Sequence, residues 1–382
     1  MAEIVAARRA PEEVERTLGD KLIDSLRKVP QYTRSSRHLG AVLRHSTPRK
    51  LANLLLVEAE YRLRRTRVRG RPYILIVDPT NICNLRCPLC PTGMEDIGRP
   101  LGMMPWETFT HTIDQLAPHA YELNLYNWGE SILHPHIYDM IEYGRSRNLS
   151  VGMSANLNNI KDEDIDNLIQ SGLEYLSLSI DGATQESYVK YRVRGKLDKV
   201  IANARKLIAR RAELGSRTPF IEWQFIVMKH NVHEIERARE MADELGVDLF
   251  RCIPPGLAYD APNPEELKSE FFVEHFSEDG PDAPYEEFRG ENPSACFYMY
   301  RSFTVNPDGG TAPCCIVYGE DNDFGNLLKQ DFGEIWNNEK YVSARAQYRK
   351  GAEADVTVPT VCDRCTFFTK HTRPHQPKML VG

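Results

Sequence analysis

The sequence predicts an α/β fold with a parallel sheet, either doubly wound or barrel-like. Six apolar segments alternate with amphipathic helical segments between residues 72 and 254, and this alternation is typical of parallel strands joined by crossover helices. Short polar stretches, such as 78–81 and 127–131, follow predicted strands. Because such folds carry their chemistry at the carboxyl ends of strands, we expect the functional site there.

The strands and helices of this region can be placed from their apolar spacing. Strands are predicted over 73–80, 122–129, 149–157, 175–181, 220–228 and 247–254. Helices are predicted over 105–117, 134–148, 161–172, 186–214 and 231–245. Further on, the Asp308-Gly309 pair predicts the turn of a β-hairpin, and a helix is expected near 332–350.

The first 71 residues are polar and helical in pattern. Apolar side chains recur at helical spacing between Val14 and Leu26, and Pro48 suits the first turn of a second helix. Between Arg49 and Arg71, eight Lys and Arg residues stand against two Glu, a net charge of +6. Two interpretations stay open: a surface for an anionic partner or a membrane interface, or a solvated helix that caps the main domain.

Length and composition limit the classes of function. The chain has 382 residues and a net charge of -6, and proteins that bind nucleic acid are usually basic, so no nucleic-acid partner is expected. The mean hydropathy is -0.47, and no apolar run approaches the ~20 residues that span a bilayer. The first residues lack the pattern of a secretion signal, so we expect a cytoplasmic location.

Nine cysteines in such a chain indicate metal or redox chemistry, since disulfides are rare in reducing compartments. Cys83, Cys87 and Cys90 form a C-x3-C-x2-C loop after the first predicted strand. Three thiolates can hold one soft metal centre such as an iron–sulfur cluster and leave a fourth position open for reaction. The alternative is zinc with an unidentified fourth ligand.

This loop, after the first strand of a β/α repeat, resembles that of the radical S-adenosylmethionine (radical SAM) enzymes. Gly129-Glu130, at the end of the second strand, resembles the glycine–glutamate motif with which that family holds the methionyl amine of its cosubstrate. Trp128 and Ser131 depart from the Gly and Pro that are common there. The resemblance covers residues 72 to about 254 and implies a partial (β/α)6 barrel.

The resemblance implies roles for further residues around the cosubstrate. Leu89 stands where the family favours an apolar residue beside the adenine, and Arg192 at the position of a frequent carboxylate-binding arginine. Ser179 and Asp181 end the fourth strand, where the family contacts ribose or carboxylate. Ser154 and Asn156 end the third strand and are also expected to bind the cosubstrate. An ordinary structural role, such as a turn at Asp181, is the alternative for each.

Four more cysteines follow a Pro- and acid-rich segment. Cys296, Cys314, Cys362 and Cys365 suit either a four-iron cluster or zinc. After such a core, this segment resembles the SPASM/twitch extension with an auxiliary iron–sulfur cluster. Its short form resembles the single-auxiliary-cluster dehydrogenases of the aminocyclitol type. The spacing from Gly309 fits the G-x4-C signature with Cys314 as the ligand, although the adjacent Cys315 makes the pair ambiguous.

The expected organisation has four parts. They are a helical basic extension at 1–71, a radical SAM core at 72–254, a linker or lid at 255–295 and a SPASM/twitch-like domain at 296–382. The resemblance implies a 4Fe-4S cluster, S-adenosyl-L-methionine and a second, auxiliary 4Fe-4S cluster. It also implies a reductase or a flavodoxin- or ferredoxin-type protein as electron donor.

The implied activity is that of a radical SAM oxidoreductase. Reductive cleavage of S-adenosylmethionine gives a 5′-deoxyadenosyl radical, which removes a hydrogen atom from the substrate. We expect a two-electron oxidation of a small or carrier-linked substrate, with the auxiliary cluster accepting an electron. The alternatives are epimerisation with Cys252 as the hydrogen donor, modification of a peptide, and, outside enzymes, an iron–sulfur carrier.

Overall fold

The computed structural model describes residues 34–257, 262–273, 295–365 and residue 370. The chain divides into two compact units, Met1–Ser46 and Thr47–Gly382. In the first unit the described helix is α1, Arg34–His45. The helix predicted between Val14 and Leu26 lies outside the described residues.

The described strands of the second unit form one nine-stranded sheet in the order β6-β5-β4-β3-β2-β1-β7-β8-β9. The strands are β1 Ile74–Val77, β2 Glu122–Asn124, β3 Ser150–Ala155, β4 Tyr175–Ser179, β5 Phe220–Ile226, β6 Leu249–Ile253, β7 Ser302–Val305, β8 Gly310–Ala312 and β9 Gly325–Asn326. Strands β1 to β6 are parallel, and each pairs with the next along the chain. A doubly wound sheet would reverse its order at a switch point, so the parallel part is barrel-like. The prediction of a partial (β/α)6 barrel is confirmed.

Because each parallel strand pairs with the next along the chain, right-handed crossovers place the connecting helices on one face of the sheet, and short helices follow in the C-terminal part. They are α2 Pro48–Arg62, α3 Trp106–Leu116, α4 Ile137–Ser146, α5 Asp162–Gln170, α6 Gln185–Tyr191, α7 Leu197–Glu213, α8 Ile235–Leu245, α9 Pro264–Phe271, α10 Tyr298–Arg301, α11 Phe332–Trp336 and α12 Glu339–Ala346. Helix α2 begins at Pro48, as predicted, and Thr47 caps it by accepting a hydrogen bond from the Lys50 amide. None of the described helices is long and apolar enough to cross a membrane.

The helix predicted over 186–214 is wrong as one element, because the chain breaks between α6 and α7. Arg194 has a φ of 74°, in the left-handed region, and ends the helical run. Two side chains then restart it: Asn158 accepts a hydrogen bond from the Lys196 amide, and Gln185 accepts one from the Leu197 amide. At this break the Val193 carbonyl oxygen accepts a hydrogen bond from the Arg86 amide of the cysteine loop at 3.1 Å.

Two further elements differ from the prediction. The single helix expected near 332–350 is two helices, because the Asn338 side chain accepts from the Tyr341 amide and starts α12 anew. The segment interpreted as a linker or lid contains α9. Phe271 of that helix is buried in the same apolar cluster as Leu85 and Leu89, so this part of the segment packs against the cysteine loop.

The C-terminal part is attached to the first strand of the barrel. Strand β7 pairs in parallel with β1, and β7 and β8 form the predicted antiparallel hairpin. Helix α2 connects both parts, since Glu58 pairs with Arg301 at 2.7 Å and also accepts from the Tyr73 hydroxyl. In the interior, the buried Arg345 donates to the carbonyl oxygens of Met299 and Trp336.

Candidate functional site

The loop that carries the first three cysteines leaves β1 and is held closed by polar side chains. Thr80 donates to the Gly102 carbonyl oxygen at 2.8 Å. Asn81 accepts from the Gly102 amide at 2.7 Å and donates to the Pro100 carbonyl oxygen at 2.9 Å. These bonds fasten both ends of the loop at the carboxyl end of the first strand, where the sequence predicts the site.

The three thiols of this loop lie in a shared, largely buried environment. Cys87 is buried, while Cys83 and Cys90 are partly buried, and all three are free thiols. The pKa of Cys83 is raised to about 12 and that of Cys87 to about 11, chiefly by burial and in smaller part by the neighbouring thiols. Thiolates here therefore need a positive centre to stabilise them, as a metal or iron–sulfur ligand set does.

Arg192 links the cysteine loop to the end of β4. Its Nε donates to Asp181 Oδ2 at 2.5 Å, and its Nη1 lies 3.8 Å from the Cys87 sulfur in hydrogen-bonding geometry. The other oxygen of Asp181 accepts from the Ile226 amide at 2.7 Å. Burial raises the pKa of Asp181, and the Arg192 charge opposes that rise. The structure thus brings three predicted site residues together and uses Asp181 to position Arg192.

Gly129 lies where the loop after β2 crosses the cysteine loop at van der Waals distance. A Cβ at this position would overlap the Thr80 carbonyl group, with its carbon atom 2.6 Å away, and would lie 3.0 Å from Asn81 Cα. The following amide, that of Glu130, donates to the Ile82 carbonyl oxygen at 2.9 Å. The absence of a side chain therefore lets Glu130 follow directly beside the cysteine loop.

Glu130 is buried with one carboxylate oxygen unused. Oε2 accepts from the Asn156 amide at 2.8 Å, whereas Oε1 is buried and has no hydrogen-bond partner among the described residues. Burial raises the pKa of Glu130 to about 7, although the nearby amides of Asn156 and Ile132 oppose the rise. An unpaired buried carboxylate oxygen is costly, so this position suits a cationic or N–H donor from a ligand.

Asn156 and Ser154, both predicted site residues, complete this side of the barrel mouth. The Asn156 side chain donates to Asn84 in the cysteine loop at 3.0 Å. The Ser154 and Ser179 hydroxyls are 3.2 Å apart. Glu130, Asn156 and the cysteine loop therefore form one hydrogen-bonded unit, and the two serines lie on the adjoining strands β3 and β4.

The inner wall of the barrel, defined here as Ser177, Ser179, Glu222, Gln224 and Arg251, is polar. Strand pairing sets Ser177 opposite Glu222 and Gln224 opposite Arg251, so these residues share one face. Arg251 donates to Glu222 at 2.7 Å and to Gln224 at 3.0 Å. Its side chain keeps 36% exposure against 2% for Glu222, so part of the guanidinium is accessible.

Two polar residues of this region are not predicted as site residues from sequence. Asp78, fully buried after β1, accepts from the Trp128 amide at 3.2 Å, and burial raises its pKa to about 7. The second of these residues is Arg251. The sequence feature that could have identified it is the alternation of side chains along Leu249–Ile253, which sets Arg251 on the opposite face of β6 from Phe250 and Cys252.

Cys252 and Leu89 have contrasting surroundings. Cys252 is buried on the same face of β6 as Phe250, whose ring lies under the Arg239 guanidinium of α8. That face is directed to the helices, which counts against Cys252 as a hydrogen donor to a substrate inside the barrel. Leu89 packs with Leu85 and Cys87 in the apolar cluster of the cysteine loop.

The C-terminal cysteines form a second group. Cys296 and Cys362 are buried, and Cys314 and Cys365 are partly buried. Burial raises the pKa of Cys296 to about 12 and raises that of Cys314 and Cys362 well above the usual value, with mutual effects among the thiols. The four thiols that the sequence predicts as ligands all raise the pKa of the buried Tyr348. Each of them therefore lies in the neighbourhood of this side chain.

The thiols of both groups are not preassembled around a single ion. In the part of the chain that the structure describes, no three Cys, His, Asp or Glu side chains converge as a site for one metal ion. The assignment of individual cysteines as ligands therefore stays a prediction.

Comparison with known families decides the identity of this arrangement. Residues 77–239 match the family model of the radical SAM superfamily. This chain carries a radical SAM domain. Residues 296–366 match the SPASM family, an iron–sulfur cluster-binding domain, so a SPASM domain follows the radical SAM domain.

Curated relatives are similar over most of their length. The AdoMet-dependent heme synthase of Methanosarcina barkeri (strain Fusaro / DSM 804) is 26% identical over 70% of this chain and 82% of the relative. The tungsten-containing aldehyde ferredoxin oxidoreductase cofactor-modifying protein of Pyrococcus furiosus is 23% identical over 77% and 88% of the two chains. The PqqA peptide cyclase of Gluconobacter oxydans is 25% identical over 70% and 76%.

A solved structure supports the fold of this radical SAM enzyme. Streptococcus suis SuiB bound to S-adenosylmethionine superposes with a TM-score of 0.58 at 14% identity, over 87% of this chain and 80% of SuiB. At this identity the likeness concerns the architecture alone.

The family's cofactors are a 4Fe-4S cluster with S-adenosylmethionine, and auxiliary iron–sulfur in the SPASM domain. The residues present fit them. Soft thiol donors occur as a triplet and a quartet of free cysteines. The unpartnered Oε1 of Glu130 suits the amino group of S-adenosylmethionine, which is a cation.

Proposed function

We propose that this radical SAM enzyme cleaves S-adenosylmethionine reductively and oxidises a substrate by two electrons. The observation that carries the proposal is the buried, unpartnered carboxylate oxygen of Glu130 beside the Cys83 loop. Cys83, Cys87 and Cys90 would hold the first cluster, and the C-terminal quartet Cys296, Cys314, Cys362 and Cys365 the auxiliary one. When bound, the first cluster with its cosubstrate supplies a radical that removes hydrogen, and the auxiliary cluster supplies an electron acceptor.

The protein's own residues bind and orient the cosubstrate. Glu130 would accept a hydrogen bond from its amino group, an interaction that the Asn156 amide positions by holding Oε2. Ser179, which pairs with Gln224 of β5, and Asn156, which follows β3, would contact its ribose or carboxylate. Leu89 would line the adenine. These roles come from the family resemblance, and the placement of the residues around one barrel mouth supports them.

Exclusion of water is the second task of the chain. Leu85, Leu89, Tyr191, Met228 and Phe271 pack around Cys87 in one buried apolar cluster. A reactive radical in a site open to water would undergo side reactions, so apolar closure of this kind favours reaction with the substrate.

A small or carrier-linked substrate is proposed for the space lined by the inner wall. The Nε and Nη2 atoms of Arg251 donate to Glu222. The accessible part of the Arg251 guanidinium offers N–H donors to a polar substrate. Peptide modification is the second candidate, supported by the similarity to the PqqA peptide cyclase. The electron donor, by chemistry a reductase or a flavodoxin- or ferredoxin-type protein, and the cytoplasmic location stay predictions.

The rate of S-adenosylmethionine cleavage tests whether the unpartnered carboxylate oxygen of Glu130 binds the cosubstrate. Glu130→Gln is expected to lower the rate of 5′-deoxyadenosine formation at low cosubstrate by roughly 10–100-fold, since a hydrogen bond between charged groups contributes about 1.5–3 kcal/mol. The matched control is Glu163→Gln, because that side chain is 68% exposed on α5 and pairs with Lys161 alone among the described ion pairs. Equal rates in both variants would contradict the role of Glu130.

The reaction class needs product analysis. With small alcohols, carrier-linked substrates and peptides offered in turn in deuterated water, oxidation gives a product lighter by two hydrogens and free of carbon-bound deuterium. Epimerisation gives an unchanged formula with one deuterium incorporated. Either result decides the class independently of whether Glu130 binds the cosubstrate.

Arg192 should tune the first cluster through Cys87. Arg192→Gln is expected to lower the reduction potential of that cluster by roughly 50 mV or more, because the variant removes a charge-assisted N–H···S bond. The measurement is a redox titration followed by electron paramagnetic resonance, without cosubstrate. Lys190→Gln is the control, since this exposed side chain two residues earlier pairs with Glu186. An unchanged potential in Arg192→Gln would show that the contact has no influence on the cluster.

A further inference from the structure

Helix α2 buries its polar side. Lys50, Asn53 and Glu60 are among its buried residues. The Lys50 ammonium donates to the Asn148 carbonyl oxygen at 2.5 Å, and Asn53 exchanges hydrogen bonds with the backbone of Arg71. Glu60 accepts from the amides of Arg69 and Gly70 at 2.8 and 2.9 Å. These bonds set the rotation of the helix about its own axis.

The opposite side of α2 is apolar and exposed. Leu51, Leu55, Leu56 and Leu63, called here the leucine face, keep 45%, 65%, 39% and 62% exposure. Leu51 and Leu55 are one turn apart, and Ala52 and Ala59 are exposed among them. Because the buried polar contacts prevent the helix from rotating, these leucines cannot turn inward. Three exposed leucines on one helix, with Leu63 directly after its end, are unlike the scattered apolar residues of an ordinary surface.

Positive charge follows directly at the carboxyl end of this face. Arg62 is exposed, and the segment after the helix alternates exposed Arg65, Arg67 and Arg69 with buried Thr66 and Val68. The segment from residue 49 to 71 carries a net charge of +6 in a chain whose total is -6. This segment therefore has a net positive charge, whereas the rest of the chain sums to -12. Lys50 lies on the buried side of α2, so the exposed positive charge beside the leucine face comes from the arginines.

We propose that the leucine face and these arginines form a docking surface for an anionic membrane. An apolar helix face flanked by Arg is the pattern of helices that lie in the membrane interface, where leucines enter the acyl boundary and arginines meet anionic headgroups. A second copy of the chain fits less well. A two-fold contact through the same surface would set the exposed arginines of the two copies against each other. The enzyme would then act on substrates presented at or near the lipid surface.

The experiment uses the full chain with its clusters reconstituted under anaerobic conditions. Its binding to phosphatidylcholine vesicles with and without phosphatidylglycerol is measured by co-sedimentation. We expect binding to the anionic vesicles to be at least about tenfold stronger, and to weaken with salt. Leu55→Glu with Leu63→Glu should lower it by about tenfold or more. Arg62→Gln with Arg65→Gln should remove the preference for the anionic lipid.

Leu328→Glu is the matched control, because this leucine of the C-terminal domain is 57% exposed and lies outside the helix. It should bind vesicles as the parent chain does. Equal binding to both vesicle types, or binding to neither, would overturn the proposal. So would a concentration-dependent dimer, seen by light scattering, that the Leu55→Glu and Leu63→Glu pair abolishes without any loss of vesicle binding. Circular dichroism of each variant separates these outcomes from misfolding.

Discussion

Cys83→Ala is expected to abolish formation of 5′-deoxyadenosine and to lower the iron content of the reconstituted enzyme from about eight to about four atoms per chain. The physical reason is that three thiolates, with one open position, hold the first cluster in our proposal, and two cannot hold it stably. Cys83 is also the thiol whose pKa the neighbouring Glu130 raises. Its loss therefore removes the ligand that adjoins the proposed cosubstrate contact.

Two matched variants test which of the other cysteines hold iron and which do not. Cys252→Ala should keep the iron content and the cleavage rate, since this thiol lies buried on the helix-facing side of β6. Cys362→Ala should lose the auxiliary iron while retaining cleavage of S-adenosylmethionine. Full iron content in Cys83→Ala, or loss of cleavage in Cys252→Ala, would contradict the proposed division of the cysteines.

The same iron count decides between Cys314 and Cys315. The two thiols are adjacent, and Cys315 raises the pKa of Cys314. Cys314 is among the thiols that raise the pKa of Tyr348, and Cys315 is among those that raise the pKa of Cys296, so both lie near this group. On the G-x4-C spacing from Gly309 we expect Cys314→Ser to lose the auxiliary iron and Cys315→Ser to keep it. The reverse result would move the ligand by one residue.

The fold was predictable because its signals are local. Alternating apolar runs mark strands and helices wherever they occur, and the six parallel strands lie within the predicted ranges. Strand order depends on packing between segments distant in the chain, so the residues alone left a doubly wound sheet open. The break at Arg194 was missed for a similar reason. Helical periodicity continues across it, while the side chains that restart α7 come from Asn158 and Gln185.

The candidate site likewise has features that local sequence predicts and features that depend on contacts between distant segments. The cysteine loop and Gly129-Glu130 are contiguous motifs, and their side chains meet as the sequence indicates. Arg251 was missed because its importance arises from pairing with Glu222 on a neighbouring strand. Sequence alone places Cys252 near a strand end. The structure shows which face of β6 is directed to the helices, and Cys252 lies on that face, outside the barrel interior. Tertiary contacts thus decide which polar strand residues face the substrate.

Gly129→Ala is expected to lower the rate of 5′-deoxyadenosine formation by roughly a hundredfold or more. The new Cβ would overlap the Thr80 carbonyl group and lie 3.0 Å from Asn81 Cα. Both obstacles are backbone, so the two loops must separate. Glu130 would move with its amide, which donates to the Ile82 carbonyl oxygen. A displacement of about 1 Å at a reacting centre costs on the order of a hundredfold in rate.

Stability should change less than activity in the Gly129→Ala variant. This difference distinguishes a displacement of Glu130 from a general loss of folding. Overpacking of one methyl group costs about 1–3 kcal/mol, so thermal denaturation should shift by several degrees, on the order of 2–4 °C for each kcal/mol. Gly102→Ala is the control, because a Cβ there meets nothing within 4 Å although the residue lies on the same closed loop. If both alanine variants cleave S-adenosylmethionine at the parent rate, the close crossing at Gly129 has no part in placing Glu130.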